Sequence, residues 1–272
     1  MPLTADCHLH SSFSGDSDTP MEEMVRSSIK KGLLSICFTE HLDIGYPVSP
    51  TTPDGFFLLD ALAYQRECLR LRDKYLGQIE VLFGIELGLI PQFLEENTAF
   101  TKATPFDYII ASTHVCEGKD PYMSEFFADR SDREAYREFF EMTLLNVRHY
   151  DDFDSYGHLD YVVRYGETTD TRDYYGENKD VIDEILTALV NKGKGLELNT
   201  SALRYHLRDL HPNKAIIERF HELGGEIITI GSDAHDPTAI ACGFATAATI
   251  LQAVGFSRYA VFKERKPQFC SL

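Results

Sequence analysis

Basic residues are scarce in this 272-residue chain, with 26 Lys and Arg against 43 Asp and Glu, and its formal net charge is −17. Binding to nucleic acid or to an anionic membrane surface depends on clusters of Lys and Arg that neutralise phosphate groups. We therefore expect neither nucleic acid nor a membrane as a partner. The acidic side chains are suited instead to binding metal cations.

Long hydrophobic runs are missing as well. The stretches at residues 81–83 and 239–242 are far shorter than the roughly 18 apolar residues of a membrane span. The amino-terminal segment MPLTADCHLH has no basic region followed by an apolar one, so the sequence predicts no secretory signal. The expected location is the cytoplasm.

The six cysteines show no Cys-x-x-Cys spacing, and the chain is longer than the small secreted domains that disulfides stabilise. Reduced thiols, most of them in the core, are therefore expected. Hydrophobic residues make up 43% of the chain and aromatic residues 12%, which excludes disordered and collagen-like proteins.

Short apolar runs alternate along the chain with longer segments of helical periodicity, a pattern typical of β-α units around a parallel sheet. Strands are predicted at residues 3–9, 34–39, 80–87, 106–112, 156–163, 196–199 and 226–231. Helices are predicted at residues 21–31, 58–76, 133–150, 181–191 and 213–223. No low-complexity linker divides the chain, so residues 1–272 are predicted to form a single α/β domain, a closed or nearly closed barrel. The tail, with a helix at 246–254 and a possible strand at 259–263, is interpreted as closing it.

Histidines and carboxylates accumulate at the predicted strand ends, where parallel barrels carry their chemistry. A His-x-His pair on its own is also typical of hydrogen-bonded or exposed histidines without a metal. The residues around this pair favour a metal site. Imidazoles and carboxylates are both deprotonated when they bind metal, and both are costly to bury unpaired. Nine ligands exceed the three or four that one catalytic zinc takes, so two or three ions are implied. The nine are His8, His10, Asp16, His41, Glu86, His114, His158, Asp233 and His235.

The motifs around these residues are CHLH at 7–10, TEH at 39–41, GIE at 84–86, STH at 112–114, GHLD at 157–160 and GSDAH at 231–235. With them, essentially the whole chain resembles the polymerase and histidinol phosphatase (PHP) superfamily, and within it the monofunctional histidinol-phosphate phosphatases. The resemblance implies a distorted (β/α)7 TIM-like barrel with a trinuclear metal centre.

The resemblance also implies how the ligands are shared among three divalent ions. It assigns His8, His10, Glu86 and Asp233 to one ion. Glu86 would bridge to a second ion at His114 and His158, and a third would be held by Asp16, His41 and His235. Mixed histidine and carboxylate ligands accept zinc, manganese or iron, so the identity of the metal stays open.

The implied activity is hydrolysis of the phosphate monoester L-histidinol phosphate to L-histidinol and phosphate, in histidine biosynthesis. A hydroxide between two ions bridged by Glu86 would be the nucleophile. Asp233 is either the acceptor of its proton or a plain ligand. His206 is either the general acid or a substrate contact, or merely exposed. The sequence leaves the oligomeric state open.

Two arginines near the predicted strand ends, Arg164 and Arg204, are candidates for binding the phosphate of the substrate, because a guanidinium stays charged and contacts two oxygens at once. The alternative for each is a surface salt bridge. Tyrosines near these arginines either line a pocket for an imidazole ring or pack without function, and residues 126–130 are a candidate lid or substrate-specificity loop. These tyrosines are Tyr161, Tyr165 and Tyr205.

Two other functions stay open. One is a PHP hydrolase that acts on a nucleotide or another small phosphate ester. The other is a non-catalytic module that scaffolds a polymerase, although the nine intact ligand positions weigh against it. For His149, His211 and His221 we expect solvent exposure or helix capping, because each lies on or near a predicted helix.

Overall fold

The described part of the chain comprises residues 3–167, 173–205 and 207–272 of a computed structural model. Its main sheet is parallel, in the order β1-β2-β4-β5-β6-β7-β8, and β3 continues the line of β2 beside β4. The strands are β1 (Ala5–Leu9), β2 (Ser35–Phe38), β3 (His41–Leu42), β4 (Glu80–Gly88), β5 (Tyr108–Ser112), β6 (Ser155–Tyr156), β7 (Gly195–Asn199) and β8 (Ile228–Gly231). A bridge between Leu9 and Ala234 joins the first strand to the segment after the last. The predicted (β/α)7 barrel is confirmed.

Helices follow most of the strands, as expected for β-α units. They are α1 (Met21–Lys30), α2 (Ala61–Lys74), α3 (Leu94–Ala103), α4 (Asp132–His149), α5 (Tyr174–Glu177), α6 (Lys179–Asn191), α7 (Lys214–Glu222) and α8 (Phe244–Val254). The short α5 and the longer α3 were not predicted. Helix α3 buries Asn97 and Thr101, so the apolar periodicity that reveals a helix is absent there.

Two predicted strands are interrupted where polar groups enter the barrel. The strand predicted at 156–163 ends at Tyr156, because the amide of His158 donates to the Glu197 carboxylate (2.9 Å) and leaves the ladder. The strand predicted at 34–39 ends at Phe38, and β3 begins only after Glu40, whose side chain accepts from Ser11. In both places the site interrupts the regular sheet.

The carboxyl-terminal tail does not close the barrel, and this interpretation was wrong. After α8 the chain forms an antiparallel hairpin, β9 (Arg258–Lys263) and β10 (Lys266–Ser271), which is separate from the main sheet. The hairpin contacts residues that precede or begin barrel strands: Tyr259 accepts from the Thr4 amide (3.3 Å), and Phe262 stacks on Tyr108. It therefore covers the amino-terminal end of the barrel.

The turn of this hairpin holds two L-residues in left-handed conformation, Glu264 (φ 50°) and Arg265 (φ 63°). Such backbone costs on the order of 1 kcal/mol or more per residue and needs compensation. The amides of both residues donate to Asp107 (3.1 and 2.9 Å), and the Arg265 guanidinium binds Asp154 (2.6 Å) and Asp152 (3.1 Å). Because Asp154 is buried, the ion pair satisfies a charge that is costly to leave alone.

We therefore expect Arg265→Ala to lower the free energy of unfolding by about 1–3 kcal/mol. The alanine would still adopt the costly left-handed backbone, but the ion pairs with Asp152 and Asp154 would be lost. Urea denaturation measures the change. Lys266→Ala, at the exposed neighbouring position, is the control and should change it by less than about 0.5 kcal/mol. Equal stability of the two variants would show that the ion pairs do not hold the hairpin in place.

All six cysteines are unpaired, and four of them are buried: Cys7, Cys37, Cys68 and Cys116. Within the described ranges, no helix is both long enough and apolar enough to cross a membrane.

Candidate active site

The carboxylate of Glu86 lies at the centre of the carboxyl-terminal mouth of the barrel and is fully buried. Its Oε1 faces His158 Nε2 at 2.8 Å and His114 Nε2 at 3.2 Å. Its Oε2 faces His8 Nε2 at 3.1 Å and His10 Nε2 at 3.5 Å. The two oxygens thus point at two different pairs of imidazoles, which is the arrangement that a bridging ligand requires.

The other carboxylates complete two further groups of donors. Asp233 Oδ1 lies 3.8 Å from His8 Nε2 and 3.6 Å from His10 Nε2. Asp16 Oδ2 lies 3.2 Å from His235 Nε2 and 3.6 Å from His41 Nε2. The structure therefore brings together all nine residues that the sequence predicted as ligands.

The donor set fits metal ions better than a network of hydrogen bonds. The Nε2 atoms of His8 and His10 are only 3.0 Å apart and both face carboxylates. His41 Nδ1 is buried 3.2 Å from Glu86 Oε2 but makes no hydrogen bond within residues 3–167, 173–205 and 207–272. A shared cation would compensate for the converging lone pairs and for the buried ring nitrogen that has no hydrogen bond.

The electrostatics of the site are those of a tightly packed cluster of opposite charges. Burial raises the pKa of Glu86, but the charges of His8 and His114 outweigh it and hold that pKa well below its usual range. Burial and the neighbouring His235 and His41 hold the pKa of His10 well below its usual range. Both shifts favour the deprotonated forms that bind metal.

A second layer of carboxylates orients the ligand histidines. His8 Nδ1 donates to Glu197 (2.6 Å), and His114 Nδ1 donates to Asp43 (2.7 Å). These bonds place the proton on Nδ1 and leave Nε2 free for a metal. The sequence analysis missed both residues, although a charged residue inside the apolar strand β7 was a signal for Glu197.

His10 is oriented through a hydroxyl instead of a carboxylate. Its Nδ1 donates to Ser14 Oγ (3.0 Å), which in turn donates to Glu40 (2.6 Å). Burial raises the pKa of Glu40 to about 7, although the hydrogen bonds from Ser11 and Ser14 oppose that shift. The loop after β1 therefore contributes to the site through its backbone and hydroxyl groups.

A glycine makes room for the pair of His8 and Glu197. At Gly231, the last residue of β8, a Cβ atom would overlap the His8 Cβ and the Glu197 carboxylate. Two residues later, Asp233 adopts a left-handed backbone (φ 53°), which Asp tolerates better than most residues. Its amide donates to the His8 carbonyl (2.9 Å) and ties β8 to β1.

The two candidate arginines differ in their surroundings. Arg204 donates to the carbonyls of Ser232 and Asp233 (both 2.6 Å), so it holds the backbone that carries Asp233. The side chain of Arg164 is buried and donates to Ser201 (2.7 Å), while its Nε has no hydrogen-bond partner among the described residues. In the part of the chain that the structure describes, neither arginine makes the surface salt bridge that was the alternative for each, and Arg164 instead lies 3.5 Å from the buried Asp233.

A cavity of about 400 Å³ opens beside the donor cluster. Both arginines and the three predicted tyrosines line it, and Arg164 lies over the rings of Tyr161 (5.0 Å) and Tyr205 (4.4 Å). His206 lies outside the described residues. The wall of the cavity thus combines candidate metal donors with two arginines and aromatic rings.

Two minor predictions about this region were wrong. The segment 126–130 does not line the cavity, because Phe126 is buried in the core and Arg130 lies over its ring. Residues of the loop between β3 and α2, such as Tyr46 and Phe57, line the cavity instead. His211 is neither exposed nor capping a helix, because it is buried and donates to the buried Asp160 (2.8 Å).

We expect Glu197→Gln to weaken divalent-metal binding by about 10- to 100-fold, because His8 loses the charge that makes its Nε2 a strong ligand. Competition with a chromogenic chelator measures the affinity. Glu96→Gln, an exposed change of the same kind on α3, is the control and should leave it unchanged. Equal affinity in both variants would remove Glu197 from the metal site.

Comparison with known proteins agrees with this geometry. The family model described as the PHP domain matches residues 6–201. The chain is 35% identical to the histidinol-phosphatase of Lactococcus lactis over 262 residues, which cover 96% of this chain and 95% of that protein. A Clostridium acetobutylicum protein named probable histidinol-phosphatase is 34% identical over 90% of this chain and 91% of its own length.

Among solved structures, the crystal structure of histidinol phosphate phosphatase from Lactococcus lactis, complexed with zinc, L-histidinol and phosphate, gives a TM-score of 0.87. It is 33% identical in sequence, and the match covers 97% of this chain and 98% of that one. The chain therefore belongs to the PHP (polymerase and histidinol phosphatase) family, and it resembles the histidinol-phosphatases of that family over nearly its whole length.

Proposed function

We propose that this protein is a metal-dependent phosphomonoesterase that hydrolyses L-histidinol phosphate to L-histidinol and phosphate. One observation carries the proposal: the wall of one cavity combines histidines and carboxylates of the donor cluster around Glu86 with Arg164 and its aromatic neighbours. Similarity over almost the full chain to a histidinol-phosphatase supports the choice of substrate.

The nine donors would hold three divalent ions, with Glu86 shared between two of them. When bound, such ions lower the pKa of water toward neutrality and offset the negative charge of a phosphate ester. The zinc in the Lactococcus lactis structure supports zinc here, and histidine and carboxylate ligands would also accept manganese or iron.

The residues around the ions would position the ester and move protons. Arg164 would contact phosphate oxygens, and this role is supported by its buried Nε, which has no partner among the described residues, and by Ser201 and the tyrosine rings, which orient it. Asp233 has one oxygen toward His8 and the other 3.5 Å from Arg164, so it lies between the donors and the phosphate-binding side. We assign it the role of accepting the proton of the attacking water.

Arg204 contributes through the backbone of the segment that carries Asp233, and it also lines the cavity for the substrate. Arg204 belongs to the 3-10 helix Ser201–Tyr205, and His206 is the next residue of the sequence after Tyr205. We propose His206 as the group that protonates the leaving alkoxide.

Phosphate release tests the proposed function directly. We expect the metal-loaded protein to hydrolyse L-histidinol phosphate at least about 100-fold more efficiently, as kcat/KM, than an aryl phosphate or a phosphodiester, because the cavity contacts also act on the leaving group. The metal content of the same preparation is counted by mass spectrometry. Removal of the metal with a chelator should abolish turnover, and adding it back should restore turnover.

Two results would contradict the proposal. Preferred cleavage of the diester would favour another PHP hydrolase that acts on nucleotides or other small esters. Absence of both metal and turnover would favour a non-catalytic scaffold.

We expect Arg164→Lys to raise the KM for L-histidinol phosphate by about 10-fold or more, because an ammonium keeps the charge but loses the planar pair of donors. Steady-state kinetics measures the change. Arg148→Lys, at an exposed ion pair with Glu184 on the outer surface, is the matched control and should leave KM unchanged. An unchanged KM in Arg164→Lys would exclude Arg164 from phosphate binding.

A further inference from the structure

The outer face of helix α2 carries a row of exposed leucines. Leu62 is 73% exposed and Leu69 is 41% exposed, and Leu76, just past the end of the helix, is 81% exposed. Because consecutive members are seven residues apart, which is close to two helical turns, they lie above one another on one face. Water therefore contacts an apolar row along the whole length of α2.

Two further exposed leucines lie near this row. Leu58 precedes α2, and Leu34 lines a surface groove together with Leu76. Of the exposed leucines in the described part of the chain, only Leu145 is elsewhere, on α4. Isolated exposed leucines are normal, whereas several on one face indicate a contact surface.

The helix that carries the row is held firmly on the barrel. The hydroxyl of the buried Tyr64 lies 2.9 Å from the Phe38 carbonyl and 2.8 Å from the Gly84 carbonyl, which belong to β2 and β4. Cys68 and Leu71, on the same inner face of α2, are fully buried. The leucine row therefore cannot turn toward the core and stays directed outward.

Most charged side chains of α2 already have partners within the chain. Arg70 and Lys74 bind Glu22 of α1, at 2.9 and 2.7 Å. Arg72 binds Asp107 on the opposite side of the helix (2.5 Å). These ion pairs connect α2 to its own subunit on both sides of the leucine row.

The two charged side chains within the row have no such partners. Arg66 and Asp73 are exposed and form no ion pair with any residue that the structure describes. They are seven residues apart, about 10 Å along the helix, which is too far for an ion pair with each other. Along this face the order is Leu62, Arg66, Leu69, Asp73 and Leu76.

This order is complementary to itself. When a second α2 runs antiparallel across Leu69, Leu62 of each copy meets Leu76 of the other, and Arg66 of each copy meets Asp73 of the other. One two-fold axis thus creates two leucine contacts and two ion pairs, as an isologous dimer requires. A parallel arrangement would instead set each of these charges against its like, which is repulsive.

We propose that the outer face of α2 binds a second copy of this chain, as an antiparallel helix pair with Leu69 at the two-fold axis. Leu62 of each copy then lies beside the groove that Leu34 and Leu76 line on the other copy. The inference is independent of the proposed function, because no residue of α2 lines the active-site cavity.

Sedimentation velocity of the metal-loaded protein at increasing concentration measures the dissociation constant of the dimer. We expect Leu69→Asp to raise this constant by about 100-fold or more, because two carboxylates would face each other in an apolar contact. Leu145→Asp is the matched control, since Leu145 is 39% exposed on α4, and it should leave the constant unchanged. Both changes are at exposed positions, so neither empties the core.

Exchanging the two charges tests the antiparallel arrangement itself. Arg66→Glu alone and Asp73→Arg alone should each raise the dissociation constant by about 10-fold or more, because each change creates two like-charge contacts. The double variant Arg66→Glu/Asp73→Arg has both ion pairs again with their charges exchanged. Its dissociation constant should return to within about threefold of the wild-type value.

Three results would overturn the proposal. The first is a wild-type protein that stays monomeric up to about 100 µM, which would leave this face to a different protein. The second is a dimer that Leu69→Asp does not weaken, which would place the contact on another surface. The third is a dimer that the single charge changes weaken and the double change does not restore.

Discussion

The site depends on one buried carboxylate, that of Glu86. Strand β4 carries it into the middle of the barrel mouth, where water cannot reach it. An isolated carboxylate there would be strongly disfavoured, so its charge has to be balanced by cations close to both oxygens. The imidazoles that surround Glu86 are placed to hold such cations, because their free Nε2 atoms converge on it. The buried charge and the metal site are therefore the same feature of the fold.

The need to hold those imidazoles explains the irregularities of the sheet. Glu197 binds the ring of His8 and also the amide of His158, and the second bond ends β6 after two residues. The Glu40 carboxylate accepts from the hydroxyls of Ser11 and Ser14 in the loop after β1. In the same way, this separates β2 from β3. Carboxylates that orient ligands take backbone donors from the sheet. Regular pairing is lost at the carboxyl-terminal end, while the amino-terminal end is covered by the hairpin.

The features that follow a regular spacing could be predicted from the sequence. Strand ends recur with the β-α repeat, so the barrel and the nine donors were predictable from apolar runs that end in His, Asp or Glu. Helix α3 was missed because it buries Asn97 and Thr101 instead of an apolar stripe. Asp43 was missed because it lies in the irregular loop after β3. The course of that loop depends on tertiary contacts, such as the hydrogen bond from the Tyr46 hydroxyl to Asp120. His211 was misjudged because its partner Asp160 is distant in sequence.

The same contrast applies to the wall of the cavity. The candidate metal donors lie on or just after strand ends, where related folds carry many different reactions. Tyr46 and Asp120 come from two different loops and bind each other across the cavity. Their hydrogen bond joins these two loops at the wall of the cavity. The barrel thus supplies the metal donors from its strand ends, and tertiary contacts between loops complete the wall around them.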